Sequence, residues 1–385
     1  MKKIVIVSAI NSNYGTMLQA YSTQKQLEKL GFNTEIIYYT SNPVKQFYRV
    51  FNIPFLVTKL KAVNVKLSTK RRYPDIYEKL QIRDAEFNNF RSKQLTMTPR
   101  IRERSKLTEI AQNCDGVVLG SDQVWNPQNL EMNYYTLNFV PDNIPKITYA
   151  PSFGMSTVPD YQKAKTKAYL NRIEHISVRE LAGSKIVKEL TGRDVPVVCD
   201  PTALLTRDDW NVMKSQKKYT EDKYIFCYFL GANMAYRRFA EKAAELTGCK
   251  IIALQHLDEF VKGDITFGDI TPYDVDPADF VNLVANAELV LTDSFHGTMF
   301  SLYFHKKFFT FNYDQGSKHS VNSRIDSIME LMQIQDRRLT AQEDVEACLE
   351  MEIDWTGIQQ RLDAFREKSM DYLVSALKDT GLLSE

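Results

Sequence analysis

The sequence predicts a parallel α/β protein built from two doubly wound units, and three observations carry that prediction. Near the start, Ile4 to Ala9 is an apolar run, Asn11-Ser-Asn-Tyr-Gly15 is a polar loop, Met17 to Leu30 reads as a helix and Thr34 to Tyr39 as the next strand. Late in the chain the same rhythm returns, with Leu289 to Asp293 as strand, Gly297 to His305 as helix and Phe308 to Asn312 as strand. Between them lie enough residues, 385 in all with 44% apolar, for two cores of ordinary size.

The late unit is also where chemistry is expected. In an open α/β sheet the carboxyl ends of strands and the amino ends of helices meet at the ligand crevice, where free helix N–H groups favour an anion. Asp293, Ser294 and His296 fall in that turn. The helix behind them carries Met299, Phe300, Leu302, Tyr303 and Phe304 on nearly every side, so burial is expected to hold the turn rigidly.

Taken in order, the first loop sits where a dinucleotide-binding turn would, but its single Gly15 is a poor match to GxGxxG. Residues 45–106 then lose the α/β rhythm. Sixteen Lys or Arg stand there against five acids, interleaved with Phe47, Tyr48, Phe51, Ile53, Phe55 and Leu56 and followed by Lys70-Arg-Arg72. Such a stretch suits a solvated helical insertion, or a surface that lies on anionic lipid or grips a polyanion. Asp115 to Gly120 is again a strand, ending in Gly120-Ser-Asp-Gln-Val-Trp-Asn-Pro127. An indole face packs on a sugar ring while Asp and Gln bond its hydroxyls, so Asp122, Gln123 and Trp125 suit a sugar site; the competing reading is a turn whose polar side chains only cap backbone.

Lys146 to Ala150 and Glu174 to Val178 read as strands, the second delivering Arg179-Glu180 to its carboxyl end. Val195 to Cys199 is another, stopped by Asp200-Pro-Thr202, and the polar stretch Thr206 to Asp222 closes a first domain of residues 1–215. A second domain, 222–340, opens with strand Tyr224 to Leu230, helix Ala235 to Thr247 and strand Lys250 to Gln255. Asp276 caps a helix Pro277 to Asn286, with Pro277 at its first position. Lys318 to Arg324 is polar and cationic, and Arg324 opens a helix to Met332. In the segment 341–385, a helix from about Trp355 to Lys378 has the length to cross back over both domains.

Lys plus Arg number 49 against 48 acids, so no global charge draws the chain to nucleic acid. Five scattered cysteines without a CxxC pair read as reduced residues of a cytoplasmic protein, and with five scattered histidines they form no metal set. Met1-Lys-Lys-Ile-Val-Ile-Val-Ser is too short for a signal peptide and reads as the first strand; no window approaches the ~20 apolar residues of a membrane span.

These motifs resemble the polysaccharide pyruvyl transferase family. The resemblance rests on Asn13-Tyr-Gly15, Gly120-Ser-Asp-Gln-Val-Trp125, Ile176-Ser-Val-Arg-Glu180, Asp200-Pro-Thr202, Thr292-Asp-Ser-Phe-His-Gly297 with Phe300-Ser301, and Ser323-Arg-Ile325, spread in order over nearly the whole chain. It implies two Rossmann-like domains facing a cleft, as in glycosyltransferase-B-like proteins, and transfer of pyruvate from phosphoenolpyruvate to sugar hydroxyls as a ketal. On that expectation His296 and Asp122 are the catalytic acid and base, and Asp293 joins them by orienting the turn. Arg179, Ser294, Gly297, Lys318 and Arg324 would hold the anionic donor. Asn13, Gly15, Ser121, Gln123 and Trp125 would face the acceptor. Many members carry Arg where this chain has Ser294, so Arg324, Lys318 or Arg337 would replace it. Phosphoenolpyruvate enters as co-substrate and no cofactor is implied. An acceptor on a polyprenyl diphosphate would bring the enzyme to the inner face of the membrane, with 45–106 as the contact. A nucleotide-sugar glycosyltransferase on the same architecture and a non-catalytic glycan-binding protein are the competing readings.

Overall fold

A computed structural model describes residues 1–40, 71, 73–127, 129–130, 133–255, 261–313 and 322–384. The first unit holds β1 (Lys3–Val7), α1 (Tyr14–Lys29), β2 (Asn33–Ile36), α2 (Pro74–Gln94), α3 (Arg104–Gln112), β3 (Gly116–Leu119), β4 (Lys146–Thr148), α4 (Asp160–Leu170), α5 (Leu181–Thr191) and α6 (Arg207–Met213). The second holds β5 (Tyr224–Tyr228), α7 (Met234–Thr247), β6 (Lys250–Ala253), α8 (Pro277–Asn286), β7 (Leu289–Thr292), α9 (Phe295–Tyr303), β8 (Lys307–Phe311), α10 (Ser323–Met332) and β9 (Arg338–Leu339). Two helices end the chain, α11 (Val345–Glu350) and α12 (Trp355–Asp379). Each unit is a parallel sheet, ordered β2-β1-β3-β4 and β6-β5-β7-β8-β9. Helices cover both faces, which is why strands such as Ile-Val-Ile-Val in β1 are apolar without alternation.

Two expected strands shrink. His175 and Val178 make only single parallel bridges, to Ile147 and Val197. Side chains take over part of the ladder there: the Ser177 hydroxyl donates to Thr148 O at 2.9 Å, and Ser177 N donates to the Thr148 hydroxyl at 3.2 Å. Pro196, which has no N–H, lies in the neighbouring segment.

Alternate residues of each strand divide the core into three. Val5, Val7, Val117 and Leu119 belong to the outer face of the first sheet, and Ile225, Leu289, Leu291 and Phe309 to that of the second. Ile4, Ile6 and Val118 join Phe226, Val290 and Phe308 in one continuous core between the sheets. The expected pair of separate cores is therefore bridged. The bridge is α1: Tyr14 stacks on Phe280 of α8 at 5.0 Å and donates its hydroxyl to Val275 O at 3.0 Å.

The described part of the basic stretch is a helix solvated along most of its length, as one of the expected readings has it, and anchored at a few buried residues. Arg83 of α2 is buried, donating to the carbonyls of Gln255 and Pro272 in the second unit, while Phe87 packs on Tyr14 at 4.7 Å. Phe47, Tyr48, Phe51, Ile53, Phe55, Leu56, Lys70 and Arg72 lie outside the described residues. Helix α12 crosses back as its length predicts: Arg361 bonds Met332 O in the second unit, and in the first Ser369 accepts from Cys199 N and Tyr372 donates to Thr148 O. Among the described residues no helix is long and apolar enough to cross a membrane.

Candidate active site

The second unit supplies its share from the end of β7. Ser294 is the N-cap of α9, accepting from Gly297 N at 3.4 Å, so His296 lies in the first helical turn rather than in the loop expected before Gly297. Gly297 lets the helix approach its strand, since a Cβ there would sit 2.5 Å from the Thr292 hydroxyl. Asp293 orients the turn, as expected. Its two oxygens accept from Leu230 N at 2.6 Å and Gly231 N at 2.8 Å, so the carboxylate ties the end of β5 to the turn.

α1 begins at Tyr14, three residues earlier than the apolar pattern predicts, because Asn13 caps it by accepting from Thr16 N at 3.2 Å. That places Gly15 in the first turn, directly against the His296 ring. A Cβ on Gly15 would lie 1.9 Å from His296 Nδ1. Asn13 and Gly15 thus set helix and histidine geometry.

Asp122 follows β3 with φ of 78°, a left-handed conformation that Asp tolerates better than most side chains. Its carboxylate accepts from the Thr16 hydroxyl and lies 3.8 Å from Arg179 Nη2. Burial works to raise its pKa, but the charges of Arg179 and His296 and the Thr16 bond together hold it below the ordinary 3.8. Asp200 is buried deeper. It accepts from Arg179 Nη1 at 2.6 Å, and its Oδ2 is 3.6 Å from His296 Nε2. Burial again opposes ionisation, and His296, Arg179 and the Thr202 N–H outweigh it, so Asp200 stays well below the carboxylate range. A chain of ion pairs therefore runs Asp122, Arg179, Asp200, and the His296 ring stands beside its end from the other unit.

Arg324, at the start of α10, completes the cluster. With the Gln123 amide oxygen turned toward it, that oxygen accepts from Nη2 at 2.5 Å and Nη1 at 3.3 Å. Burial and the neighbouring Arg179 charge lower its pKa from 12.5 to about 10. Arg179 packs over the Phe295 ring at 4.9 Å, which leaves its fork fixed. Buried and without hydrogen-bond partners are Arg179 Nε and Nη2, Arg324 Nε, His296 Nε2 and Glu180 Oε2. The amino ends of α1, α9 and α10 carry Gly15, His296 and Arg324, and Glu180 precedes α5 with its side chain turned to Ser152 and Phe153 N rather than to the helix. Helix amino ends and guanidinium groups are the features here that favour a small anion, set among the carboxylates of Asp122, Glu180 and Asp200.

Three expected contacts lie elsewhere. Trp125 is 0% exposed, donates Nε1 to Tyr135 O at 3.2 Å and packs on Phe153 and Tyr169, so its face cannot receive a sugar. Ser121 is buried and spends its hydroxyl on Ala150 O at 2.7 Å. Arg337 is buried too, bound to Asp336 and Glu352 O over the Phe309 ring, so it does not replace the arginine absent at Ser294. Lys318 lies outside the described residues. Among the described residues no group of three or more His, Cys, Asp or Glu could hold a metal ion, and the cysteines are free.

A family model for polysaccharide pyruvyl transferases matches residues 13–315. The chain belongs to the polysaccharide pyruvyl transferase family. No curated protein matches it. Among solved structures it resembles MnaA of S. aureus in complex with UDP, at 12% identity over 100% of this chain and 98% of that one, TM-score 0.53. It also resembles Arabidopsis thaliana UGT89C1 complexed with UDP-L-rhamnose, at 7% identity over 98% and 99%, TM-score 0.53. The UDP-N-acetylglucosamine 2-epimerase of Rickettsia bellii matches at 10% over 97% and 96%, TM-score 0.51. These likenesses establish the two-unit glycosyltransferase-B-like fold. Sequence reasoning misses Asp200, Glu180 and Thr16 as members of this pyruvyl transferase's cluster. Asp200 could have been found, since it follows the apolar run Val195 to Cys199 just as Asp122 follows β3.

Proposed function

We propose that this enzyme transfers pyruvate from phosphoenolpyruvate to two hydroxyls of a sugar in a cell-surface polysaccharide precursor, forming a ketal. The observation that carries the donor is the group of buried, unpartnered nitrogens of Arg179, Arg324 and His296 at three helix amino ends. Phosphoenolpyruvate offers a carboxylate and a phosphate within one small molecule. The free Nε and Nη2 edge of Arg179 suits two parallel bonds to one of them, and Arg324 suits the other.

The chemistry balances without a cofactor. His296 gives a proton to the methylene carbon, and the alkene pair forms that C–H bond and leaves positive charge at the adjacent carbon. One sugar hydroxyl adds there, losing its proton to Asp122; the C–O bond to phosphate breaks; the second hydroxyl closes the ketal. Asp122 passes its proton to the departing phosphate, which leaves as hydrogen phosphate, and the proton of the second hydroxyl restores His296. Gln123, beside Arg324 and next to Asp122, stands at the acceptor side of this arrangement.

Phosphate release from phosphoenolpyruvate that depends on a glycan acceptor tests the reading, together with a thermal-shift panel of phosphoenolpyruvate and UDP-sugars. Stabilisation by phosphoenolpyruvate is expected through mass action. Stabilisation by a UDP-sugar alone would favour the glycosyltransferase reading instead. If the acceptor is tethered through a polyprenyl diphosphate, the basic stretch 45–106 should sediment the enzyme with anionic liposomes at low salt and release it at high salt. Absence of binding at low salt removes the membrane contact from this reading.

A further inference from the structure

We propose that Asp200 is a positioning residue of the transfer, a fixed negative charge that keeps the proton on His296 until the donor's methylene carbon takes it. The inference rests on the pyruvyl-transfer reading above. Asp200 cannot turn away: Oδ1 accepts from Thr202 N at 3.0 Å and the Thr202 hydroxyl at 2.7 Å, and Oδ2 accepts from Arg179 Nη1 at 2.6 Å and the Ser121 hydroxyl at 3.3 Å. The same Oδ2 stands 3.6 Å from His296 Nε2, which has no hydrogen-bond partner.

The elements packed on the ring present both carboxylates and guanidinium groups. α1 presents only the backbone of Gly15. The first unit presents Asp200 and Asp122, with Arg179 shared between them at 2.6 and 3.8 Å. Arg324, from the histidine's own unit, bears on the same two carboxylates. The ring is only 6% exposed, so an opposite charge within about 4 Å acts on it with little screening by water. Asp122 is the poorer source, because the ring nitrogen comes within 4.0 Å of Asp200 and not of Asp122. When the Nε2–H bond breaks and the C–H bond forms, His296 becomes neutral and its attraction to Asp200 is lost. A proton released by an attacking hydroxyl restores both.

The test is the pH–rate profile of phosphate release for the parent, Asp200→Asn and Thr202→Val. Asp200→Asn keeps the shape and removes the charge; its kcat should fall roughly 100-fold at pH 8 and recover at least tenfold of that deficit by pH 6, because the alkaline limb moves to lower pH. Thr202→Val keeps the charge and loosens its anchor, so it should move the limb the same way by less. With only five histidines in the chain, ¹³C-labelled rings can be followed by NMR, the His296 signal being assigned with His296→Ala. That ring should titrate at lower pH in Asp200→Asn than in the parent. A folded Asp200→Asn with a parent-like limb overturns the proposal, as does an unmoved ring titration. If Asp200→Asn does not fold, an unmoved limb in Thr202→Val overturns it. A displaced ring titration in a protein that releases no phosphate would refute the reaction and leave the charge coupling standing.

Discussion

Asp122 and Asp293 occupy matching places, each just past a central strand of its own sheet, yet the two carboxylates have different work. Asp293 finds two free backbone N–H groups, of Leu230 and Gly231, and is consumed by them. Asp122 meets one backbone donor, Gln123 N, and otherwise a hydroxyl and a guanidinium, partners that a substrate can share. Topology therefore marks where an acid can matter. The neighbouring backbone decides whether it holds the chain together or faces the ligand.

The sharpest way to break this comparison is to remove both acids. Asp122→Asn should fold normally and lose roughly 10²- to 10⁴-fold in turnover, the usual cost of a missing acid or base. Asp293→Ala should instead lose about 3 kcal/mol of stability, because two buried N–H groups lose a charged acceptor. Denaturant melts and initial rates on both variants decide it, and exchanged outcomes would show that the roles were assigned the wrong way round.

Gly15→Ala comes next. The new Cβ meets the root of a buried ring rather than a mobile tip, so His296 must shift, and a displacement near 1 Å costs on the order of 100-fold in rate. Near-parent turnover with His296 unmoved in a crystal structure would show that the α1 contact is slack.

An acid titration probes the charge chain as a whole. Asp122 and Asp200 are held below 3.8, so their stabilisation is complete above that value and is lost as pH falls through the lower folded values. Thermal midpoints should therefore fall below about pH 4, less steeply in Asp200→Asn than in the parent. Parallel curves would place the acid sensitivity elsewhere. The smallest effect is expected from Trp125→Phe, which removes one bond to Tyr135 O and should cost about 1 kcal/mol with acceptor KM unchanged. A raised acceptor KM would return Trp125 to the sugar site.

What was legible in the sequence follows from what each signal measures. Apolar runs located the sheets and the strand-to-helix turn at His296, because buried parallel strands and the helix behind them admit few polar residues. The same signal overran the segment ending at Val178, where Thr148 and Ser177 hydroxyls replace ladder bonds, and the one ending at Cys199, whose N–H goes to Ser369 of α12. Trp125 misled because an indole near polar residues looks alike in a core and in a sugar site; only its surroundings, Phe153 and Tyr169, tell them apart. Arg83 misled in the opposite direction, since a cation in a basic stretch gives no sign that two carbonyls from the other unit await it. Asp200 was visible as a strand stop and as part of a family motif, but it was given no role in the site because its partners, Arg179 and His296, come together only when the sheets do.

The continuous core across the two sheets bears on how such proteins can be recombined. A chimera that joined this amino-terminal half to the carboxyl-terminal half of a relative would cut between Tyr14 and its socket at Phe280 and Val275, and between Arg83 and the carbonyls of Gln255 and Pro272. Grafts between family members would have to carry plug and socket as one inherited set. The heritable unit is thus the pair of halves, even though each half carries a complete sheet.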